Sequence, residues 1–276
     1  MRVSGVITTF NRPEFLRSAI ESALGQTYPL FELIVVDDAS TIDLGDVLRP
    51  FAGRLNHVRL PINRGANVAR NVGVRAATGD VIAFLDDDDV WRPDKIARQI
   101  VALGRGYEAC LCGLERIDRT GQSIQPINEV TPTMLMRGNP FCGTSGLAAR
   151  RAVLVEEAFD EELPTGQDWD IYIRLARRQP LGYVAAPLFA YRSGGHPGIT
   201  SSALDSIPEQ LLSRARVVEK HRDWLGESNY RALLAKLLLM YLGRRQKKMR
   251  FVMYAVRRAG FTPTINYLFR RAVGMD

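Results

Sequence analysis

Apolar runs of β type alternate with segments whose apolar residues recur at helical spacing over the first hundred or so residues. Val3 to Phe10 reads as a strand. Asn11 serves as an N-cap, Pro13 falls in the first helical turn, and Phe15, Ala19, Ile20, Ala23 and Leu24 follow at helical spacing. Phe31 to Val36 is a second buried strand, ending in Asp37-Asp38. Leu44 to Ala52 reads as a short helix, His57 to Leu60 as a short strand and Ala66 to Ala77 as a third helical stretch. Val81 to Leu85 is again a buried strand, followed by a helix over Pro93 to Leu103. Strands and helices joined by tight links predict an α/β fold, with a mixed, mostly parallel sheet flanked by helices.

Beyond residue 105 the pattern is mixed. Glu108 to Leu114 and Ser145 to Ala149 read as strands, Asp168 to Arg178 as a helix, and Tyr183 to Ala185 and Leu188 to Tyr191 as two short strands. Ser193 to Ser202 is a Gly- and Ser-rich loop. From Pro208 onward everything reads as helix, with breaks near Gly226 and Gly260 to Pro263. A catalytic domain over 1–205 and a basic, amphipathic helical extension over 206–276 are expected.

Four consecutive aspartates, Asp86 to Asp89, stand at the end of the Val81 to Leu85 run. Two unit charges about 4 Å apart repel by about 4 kcal/mol at an effective dielectric near 20, so a cation is expected among them. Hard divalent ions take oxygen ligands, and open α/β sheets bind ligands at the carboxyl ends of their strands. A solvated acidic turn that caps the next helix is the alternative for the cluster taken alone. Asp37-Asp38-Ala39-Ser40 repeats the arrangement, and a carboxylate there can accept hydrogen bonds from a ribose or a base N–H. Asn63-Arg64-Gly65, followed by Ala69-Arg70-Asn71-Val72-Gly73, places amides and a cation at a helix start, which suits anions.

In this order the segments resemble the family 2 inverting glycosyltransferases of the glycosyltransferase A fold, of the type that builds bacterial polysaccharide and lipopolysaccharide. The resemblance is carried by Thr8-Thr9-Phe10-Asn11-Arg12, Asp37-Asp38-Ala39-Ser40, Asn63-x-Gly65 with Ala69-Arg70-Asn71-x-Gly73, and Gly79-Asp80. It continues through Phe84-Leu85-Asp86-Asp87-Asp88-Asp89 with Trp91-x-Pro93, Gly166-Gln167-Asp168-Trp169-Asp170, and Tyr191-Arg192. It covers roughly residues 3–203.

The resemblance implies a nucleotide-sugar donor, of the UDP class, over the sheet. Thr8, Phe10 and Asn11 would approach base and ribose, Asp37 would bind the base or ribose edge, and Arg70 and Arg192 would line the donor pocket. The DxD element would hold Mn²⁺ or Mg²⁺ and the diphosphate. Its register can be read as Asp86-x-Asp88 or Asp87-x-Asp89; the spacing to Trp91 and Pro93 favours the first, with Asp88 as the metal ligand and Asp86 and Asp87 at the donor. His196 is a second candidate ligand, although three residues separate it from Arg192 where the family pattern has one. Asp168 is the expected general base, with Asp170 next in line; Asp168 can otherwise be read as a helix-start residue stabilised by the dipole. Trp91 and Trp169 sit at helix starts, where aromatic packing is the commoner use than sugar stacking.

Rival readings lack their signatures. A sugar-nucleotide nucleotidyltransferase needs a Gly-rich loop after the first strand, and Thr8-Thr9-Phe10-Asn11-Arg12 has no glycine. No GxGxxG follows a strand, against a dinucleotide-binding dehydrogenase. A catalytically inactive carbohydrate-binding relative would not need both Asp88 and Asp168.

Net charge bears on partners. Of the total +7, residues 244–276 carry nine Lys or Arg against one acid, leaving the first 243 residues at −1. That distribution, with no recognised motif, argues against nucleic acid. Leu233, Leu234, Leu237, Leu238 and Tyr241 lie on one helical face ahead of Arg244, Arg245, Lys247, Lys248 and Arg250; Phe251, Tyr254 and Phe261 then alternate with Arg257 and Arg258, and Tyr267, Leu268 and Phe269 precede Arg270-Arg271. Residues 230–276 are therefore expected to dock on an anionic membrane surface, or else to pack on the catalytic domain or in a dimer interface. The acceptor would be a glycan or a lipid-linked sugar. Cys110, Cys112 and Cys142 form neither a disulfide framework nor a zinc pattern, which fits a reducing compartment. The N-terminus lacks signal-peptide features and no apolar run reaches spanning length, so a cytoplasmic protein, peripheral on the inner face of the cell membrane, is expected.

Overall fold

The computed structural model describes residues 1–117, 121–192, 206–245 and 247–274. They fall into two compact units. The first holds Met1–Leu135, Asn139–Glu161 and Asp170–Ser193; the second holds Met136–Gly138, Glu162–Trp169 and Gly194–Asp276.

The first unit runs β1 (Val3–Thr9), α1 (Pro13–Leu24), β2 (Glu32–Asp37), α2 (Gly45–Leu48), β3 (Asn56–Arg59), α3 (Ala66–Ala76), β4 (Val81–Asp86), β5 (Val90–Trp91) and α4 (Lys95–Leu103). It continues with β6 (Ala109–Arg116), β7 (Gln122–Ser123), β8 (Glu129–Val130), α5 (Pro132–Leu135), β9 (Ala148–Arg150) and α6 (Arg151–Glu156). Helix α7 (Gln167–Arg178) crosses into this unit from the second, and β10 (Leu181–Tyr191) follows. The sheet order is β3-β2-β1-β4-β9-β6-β10-β5, with β7 beside β6 and β8 beside β10. The long pairings, β1 with β2 and β4, β2 with β3, and β6 with β10, are parallel, and the short ones are antiparallel.

Burial explains the consecutive apolar runs. Leu33 to Val36 and Val81 to Leu85 are buried on both faces, as a sheet covered on both sides by helices requires. Registration sets the edge that matters: Thr8 lies opposite Asp86 on one side and Val36 on the other, and Thr9 lies opposite Asp37. The carboxyl ends of β1, β2 and β4 therefore stand together. Helix α3 seats closely on β1 because Gly73 has no side chain; a Cβ there would come within 2.4 Å of Val6 Cγ1.

Three local expectations are corrected. Asn11 does not cap α1; its φ is +56° and its Oδ1 accepts hydrogen bonds from the Thr41 N–H (2.7 Å) and the Ile42 N–H (3.2 Å), leaving Arg12 at the N-cap. Leu44 to Ala52 begins as α2 but tightens into a 3-10 turn over Arg49–Phe51. The two strands expected between Tyr183 and Tyr191 are one strand, β10, whose pairing with β6 shifts on both sides of Pro187, a residue with no N–H to donate.

The second unit contains α8 (Pro208–Arg214), α9 (Arg216–Lys220), α10 (Arg222–Leu239), α11 (Lys248–Ala259) and α12 (Phe261–Ala272). Helix α10 is kinked at Gly226, and Gly260 separates α11 from α12, at the breaks the sequence predicts. Leu233, Leu234 and Leu238 of α10 and Phe251, Ala255 and Ala259 of α11 form the buried core of this unit.

The core of the first unit holds one unusual group. Lys95 is fully buried, donates from Nζ to Gln99 Oε1 at 2.6 Å and lies 4.4 Å from the centroid of the Trp91 ring. Cys110, Cys112 and Cys142 are buried and not in disulfides, and burial pushes the Cys110 and Cys112 thiols up to about 12, which leaves those two inert. Burial likewise holds the Lys95 ammonium below the usual lysine range. A lysine so depressed binds fewer protons folded than unfolded, so its contribution to stability improves as pH rises toward about 10.4. Lys95→Met is therefore expected to melt above the parent at neutral pH, with the gap closing toward that pH in a thermal-melt series. A gap that is constant with pH contradicts this account of Lys95.

Candidate active site

The four aspartates at the end of β4 divide by alternation. Asp86 and Asp88 keep 31% and 15% of their side-chain exposure, whereas Asp87 keeps 5% and Asp89 is buried. Asp87 Oδ2 accepts from Thr9 Oγ1 at 2.7 Å, and its Oδ1 pairs with Arg12 Nη1 at 3.1 Å. Asp89 accepts from Ser145 Oγ at 2.6 Å and from the Arg192 N–H at 3.1 Å. Ser145 Oγ also accepts the Asp86 N–H at 3.0 Å, so a single hydroxyl fixes both ends of the turn.

Charge is balanced largely from within. Arg12 Nη1 reaches Asp88 Oδ2 at 2.8 Å as well as Asp87, and Arg70 Nη2 reaches Asp86 Oδ1 at 2.6 Å. The cation expected for the cluster is thus supplied in part by the chain's own arginines. Burial pushes the Asp87 carboxyl up to about 7 despite Arg12 and Thr9, and pushes Asp89 well above the usual carboxylate range. Burial pulls the Arg12 guanidinium down, but Asp87 and Asp88 more than offset it and hold it above the ordinary arginine value.

The second acidic turn also divides. Asp38 accepts the Arg64 and Gly65 N–H groups at 2.8 and 2.7 Å, which fixes the loop entering α3. Asp37 is fully buried, accepts the Ser40 N–H at 2.8 Å through Oδ1, and has Arg59 Nη1 at 3.5 Å from Oδ2. Among the described residues, Asp37 Oδ2 and Arg70 Nε are the buried side-chain polar atoms without a hydrogen-bond partner. The α3 amides have structural jobs: Asn71 bonds both the N–H and the carbonyl of Phe159, and Asn67 donates to the Asp160 carbonyl.

Of the residues the sequence selects, β1 and β4 bring Thr8, Asp86, Asp87 and Asp88 to one edge, with Arg70 paired to Asp86. Phe10 is exposed beside them, while Asn11 is committed to the 40–42 turn. Asp87, expected at the donor, lies beneath the edge and grips Arg12 and Thr9 because its side chain alternates inward. Arg192 donates from Nε to the Asp88 carbonyl at 3.4 Å and stacks 4.7 Å from the Phe15 ring centroid. His196 lies outside the described residues.

Asp168 belongs to the second unit and is the second residue of α7, half-buried. Gly166 ahead of it has φ +74°, and a Cβ there would come within 2.7 Å of Val217 Cγ1, so glycine is required at that turn. Asp170 is buried and paired with Arg174 at 2.9 Å, and Arg174 also pairs with Glu157. Asp170 is thereby a structural carboxylate. Trp91 and Trp169 are both buried, as packing predicts. Two supporting residues carry no role in the sequence reading. Arg12 stands inside a quoted motif, and Ser145 has no local signal because it meets Asp89 from 56 residues away.

The profile of "Glycosyl transferase family 2" matches residues 4–161. The chain belongs to that family. An uncharacterised glycosyltransferase of Nostoc sp. is 36% identical over 168 residues, covering 56% of this chain and 52% of the relative. An Escherichia coli protein named as a UDP-Glc:alpha-D-GlcNAc-diphosphoundecaprenol beta-1,3-glucosyltransferase is 39% identical over 99 residues, 36% of this chain and 39% of its own length. The chain spans about half the length of the Nostoc relative and 33% of a Rickettsia bellii glycosyltransferase that it also matches. Among solved structures, Staphylococcus aureus TarS in complex with UDP-GlcNAc gives a TM-score of 0.67 at 16% identity, covering 99% of this chain and 92% of that one. A Pyrobaculum calidifontis mannosyltransferase with GDP-Man and Mn²⁺ gives 0.62 at 19% identity, covering 99% and 79%. The family 2 chain has the glycosyltransferase A fold that the resemblance implies.

Removing Arg12 leaves Asp87 buried without its cation. Arg12→Met is expected to lower unfolding stability by about 2 kcal/mol in urea titrations, and adding Asp87→Asn to recover most of that loss. Independent, additive losses would show that the pair does not carry this edge.

Proposed function

We propose that this family 2 member transfers a sugar from a nucleoside-diphosphate sugar, of the UDP class, to an acceptor hydroxyl with inversion. The observation that carries the reading is the alternation at the carboxyl edge: Asp86 and Asp88 face outward while Asp87 and Asp89 brace them from beneath. Two buried atoms without a hydrogen bond, Asp37 Oδ2 (with Arg59 Nη1 3.5 Å away) and Arg70 Nε, belong to residues that the resemblance assigns to the donor. Unsatisfied buried polar groups are rare in folded proteins, and a ligand is one reason for them. TarS was solved with UDP-GlcNAc, which supports the donor class.

In the proposed step the acceptor oxygen forms a bond to the anomeric carbon as the bond from that carbon to the diphosphate oxygen breaks. The nucleoside diphosphate leaves, and the acceptor proton passes to the Asp168 carboxylate. Asp37 holds the base or ribose edge, Thr8, Phe10 and Asn11 flank it, and Arg70 and Arg192 serve the donor side. Among the described residues no three His, Cys, Asp or Glu side chains converge to hold a metal alone. One or two carboxylates shared with substrate phosphates is the usual Mg²⁺ arrangement, and Asp88 with Asp86 fits it. A Mn²⁺ or Mg²⁺ ion there would neutralise charge on the leaving diphosphate, with His196 a further candidate ligand.

The acceptor is proposed to be a glycan or lipid-linked sugar in bacterial surface glycan synthesis. The name of the Escherichia coli relative, with its diphosphoundecaprenol acceptor, supports that class. A lipid-held acceptor would put the work at a membrane surface, and the inner face of the cell membrane is the one proposed.

Asp168→Asn is expected to cut transfer by about 10² to 10⁴ while leaving UDP-sugar binding unchanged, because the base acts only on the acceptor proton. The check is initial rates across a nucleotide-sugar panel alongside donor-induced thermal stabilisation. Near-parental turnover moves the base elsewhere, and loss of donor stabilisation makes Asp168 a donor residue instead.

A further inference from the structure

An amphipathic helix in a folded unit ordinarily turns its apolar face inward. Helix α12 does the reverse. Phe261, Ile265, Phe269 and Val273 recur every four residues, and all are exposed, Phe261 and Phe269 at 68% and 65%. At 1.5 Å and 100° per residue they form a stripe about 18 Å long and about 120° wide. The side of α12 turned inward carries Thr264, whose hydroxyl donates to the Gly260 carbonyl at 2.7 Å. Arg271 is anchored on the same helix by donating to the Leu239 and Met240 carbonyls. On α11, Met249 and Met253 are a second exposed apolar pair, one turn apart.

The sequence expectation spread the lipid-facing side over the α10 leucines together with Phe251, Tyr254, Phe261, Tyr267, Leu268 and Phe269. Leu233, Leu234 and Leu238 are instead buried in the core of the helical unit, so that face is unavailable. The charge carried by α11 and α12 themselves is one-signed, with Glu209 of α8 paired to Arg250 and with Glu219 and Glu227 sharing a pocket with Arg257 and Arg258. From Ser228 to Met275 the chain has eleven Lys or Arg and no Asp or Glu. Arg245 is buried against Phe251, and Arg250 is paired with Glu209. Arg244, Lys247, Lys248, Arg257 and Arg258 are exposed. A protein partner for so basic a surface would have to be acidic throughout; an anionic bilayer supplies both the charge and an apolar phase deep enough for two phenylalanines.

We propose that the exposed stripe of α12, with Met249 and Met253, is a docking face for an anionic lipid bilayer. Among the described residues no helix is long and apolar enough to cross a membrane, so the contact is made from one side. The inference deepens the membrane part of the proposed function and rests on it, but its test reads binding rather than transfer.

Full-length protein is sedimented with phosphatidylcholine vesicles and with mixed phosphatidylcholine–phosphatidylglycerol vesicles. Binding to the anionic vesicles alone is expected, weakened as salt rises from about 0.1 to about 1 M and the screening length falls from about 10 to about 3 Å. Phe261→Ser with Phe269→Ser is expected to lower partition by about tenfold or more, and Lys247→Gln with Lys248→Gln by about fivefold per cation. UDP-sugar stabilisation and circular dichroism should be unchanged in both, which separates failure of docking from failure of the donor reading. No sedimentation, indifference to lipid charge, or an unaltered phenylalanine variant overturns the proposal. So does a dimer by light scattering that the phenylalanine substitutions dissociate, because the face then belongs to a second copy.

Discussion

The grip of Arg12 on Asp87 and Asp88 is the interaction on which the carboxyl edge depends. Four adjacent carboxylates at a strand end cannot all be ionised and close together without compensation. The chain meets this in two ways. It brings arginines from elsewhere, Arg12 from the end of β1 and Arg70 from α3, and it buries two of the four where protonation is favoured. The outward pair is thereby held in place, each by an arginine on one oxygen, while keeping part of its exposure. Ser145 then ties the Asp86 backbone to the Asp89 side chain, so the turn is pinned from a third segment.

The helical unit follows a separate logic. Its interior is filled by the α10 leucines and by Phe251 and the α11 alanines, which satisfies burial without calling on α12's apolar side. That division leaves a helix whose sequence is amphipathic but whose apolar stripe faces outward. Basic charge alone would have made a solvated surface, and apolar residues alone a packing face; the two together on α11 and α12 are what set this region apart.

Much of this was legible in sequence because it follows from local rules. Consecutive apolar residues in Leu33 to Val36 and Val81 to Leu85 require burial on both faces, and helical spacing marked α1, α3 and α4. The breaks at Gly226 and Gly260 were readable because glycine admits the positive φ found there. Contacts distant in sequence were not. Asn11 looks like an N-cap, yet its carboxamide is drawn off by the 41–42 N–H groups, 30 residues away. The inward turn of Asp87 follows from strand alternation, but the sequence does not say which pair of the four faces the core. Ser145 and the use of Asp170 by Arg174 depend on tertiary placement. In the tail the sequence grouped residues that the fold separates: Leu233, Leu234 and Leu238 of α10 are buried in the core, whereas Phe261 and Phe269 of α12 are exposed, because helical spacing alone does not say which apolar side a neighbouring helix covers.

The central claim is that Asp88 faces ligand while Asp89 braces the turn. Calorimetric titration of UDP with and without Mn²⁺ into the parent, Asp88→Asn and Asp89→Asn proteins tests it directly, with melting temperatures taken on the same samples. The account predicts that Asp88→Asn loses the Mn²⁺-dependent part of UDP binding with its melting temperature little changed, and that Asp89→Asn keeps that dependence. Unaltered Mn²⁺ dependence in Asp88→Asn, together with its loss in Asp89→Asn, would contradict the assignment and shift the ligand pair to Asp87 and Asp89.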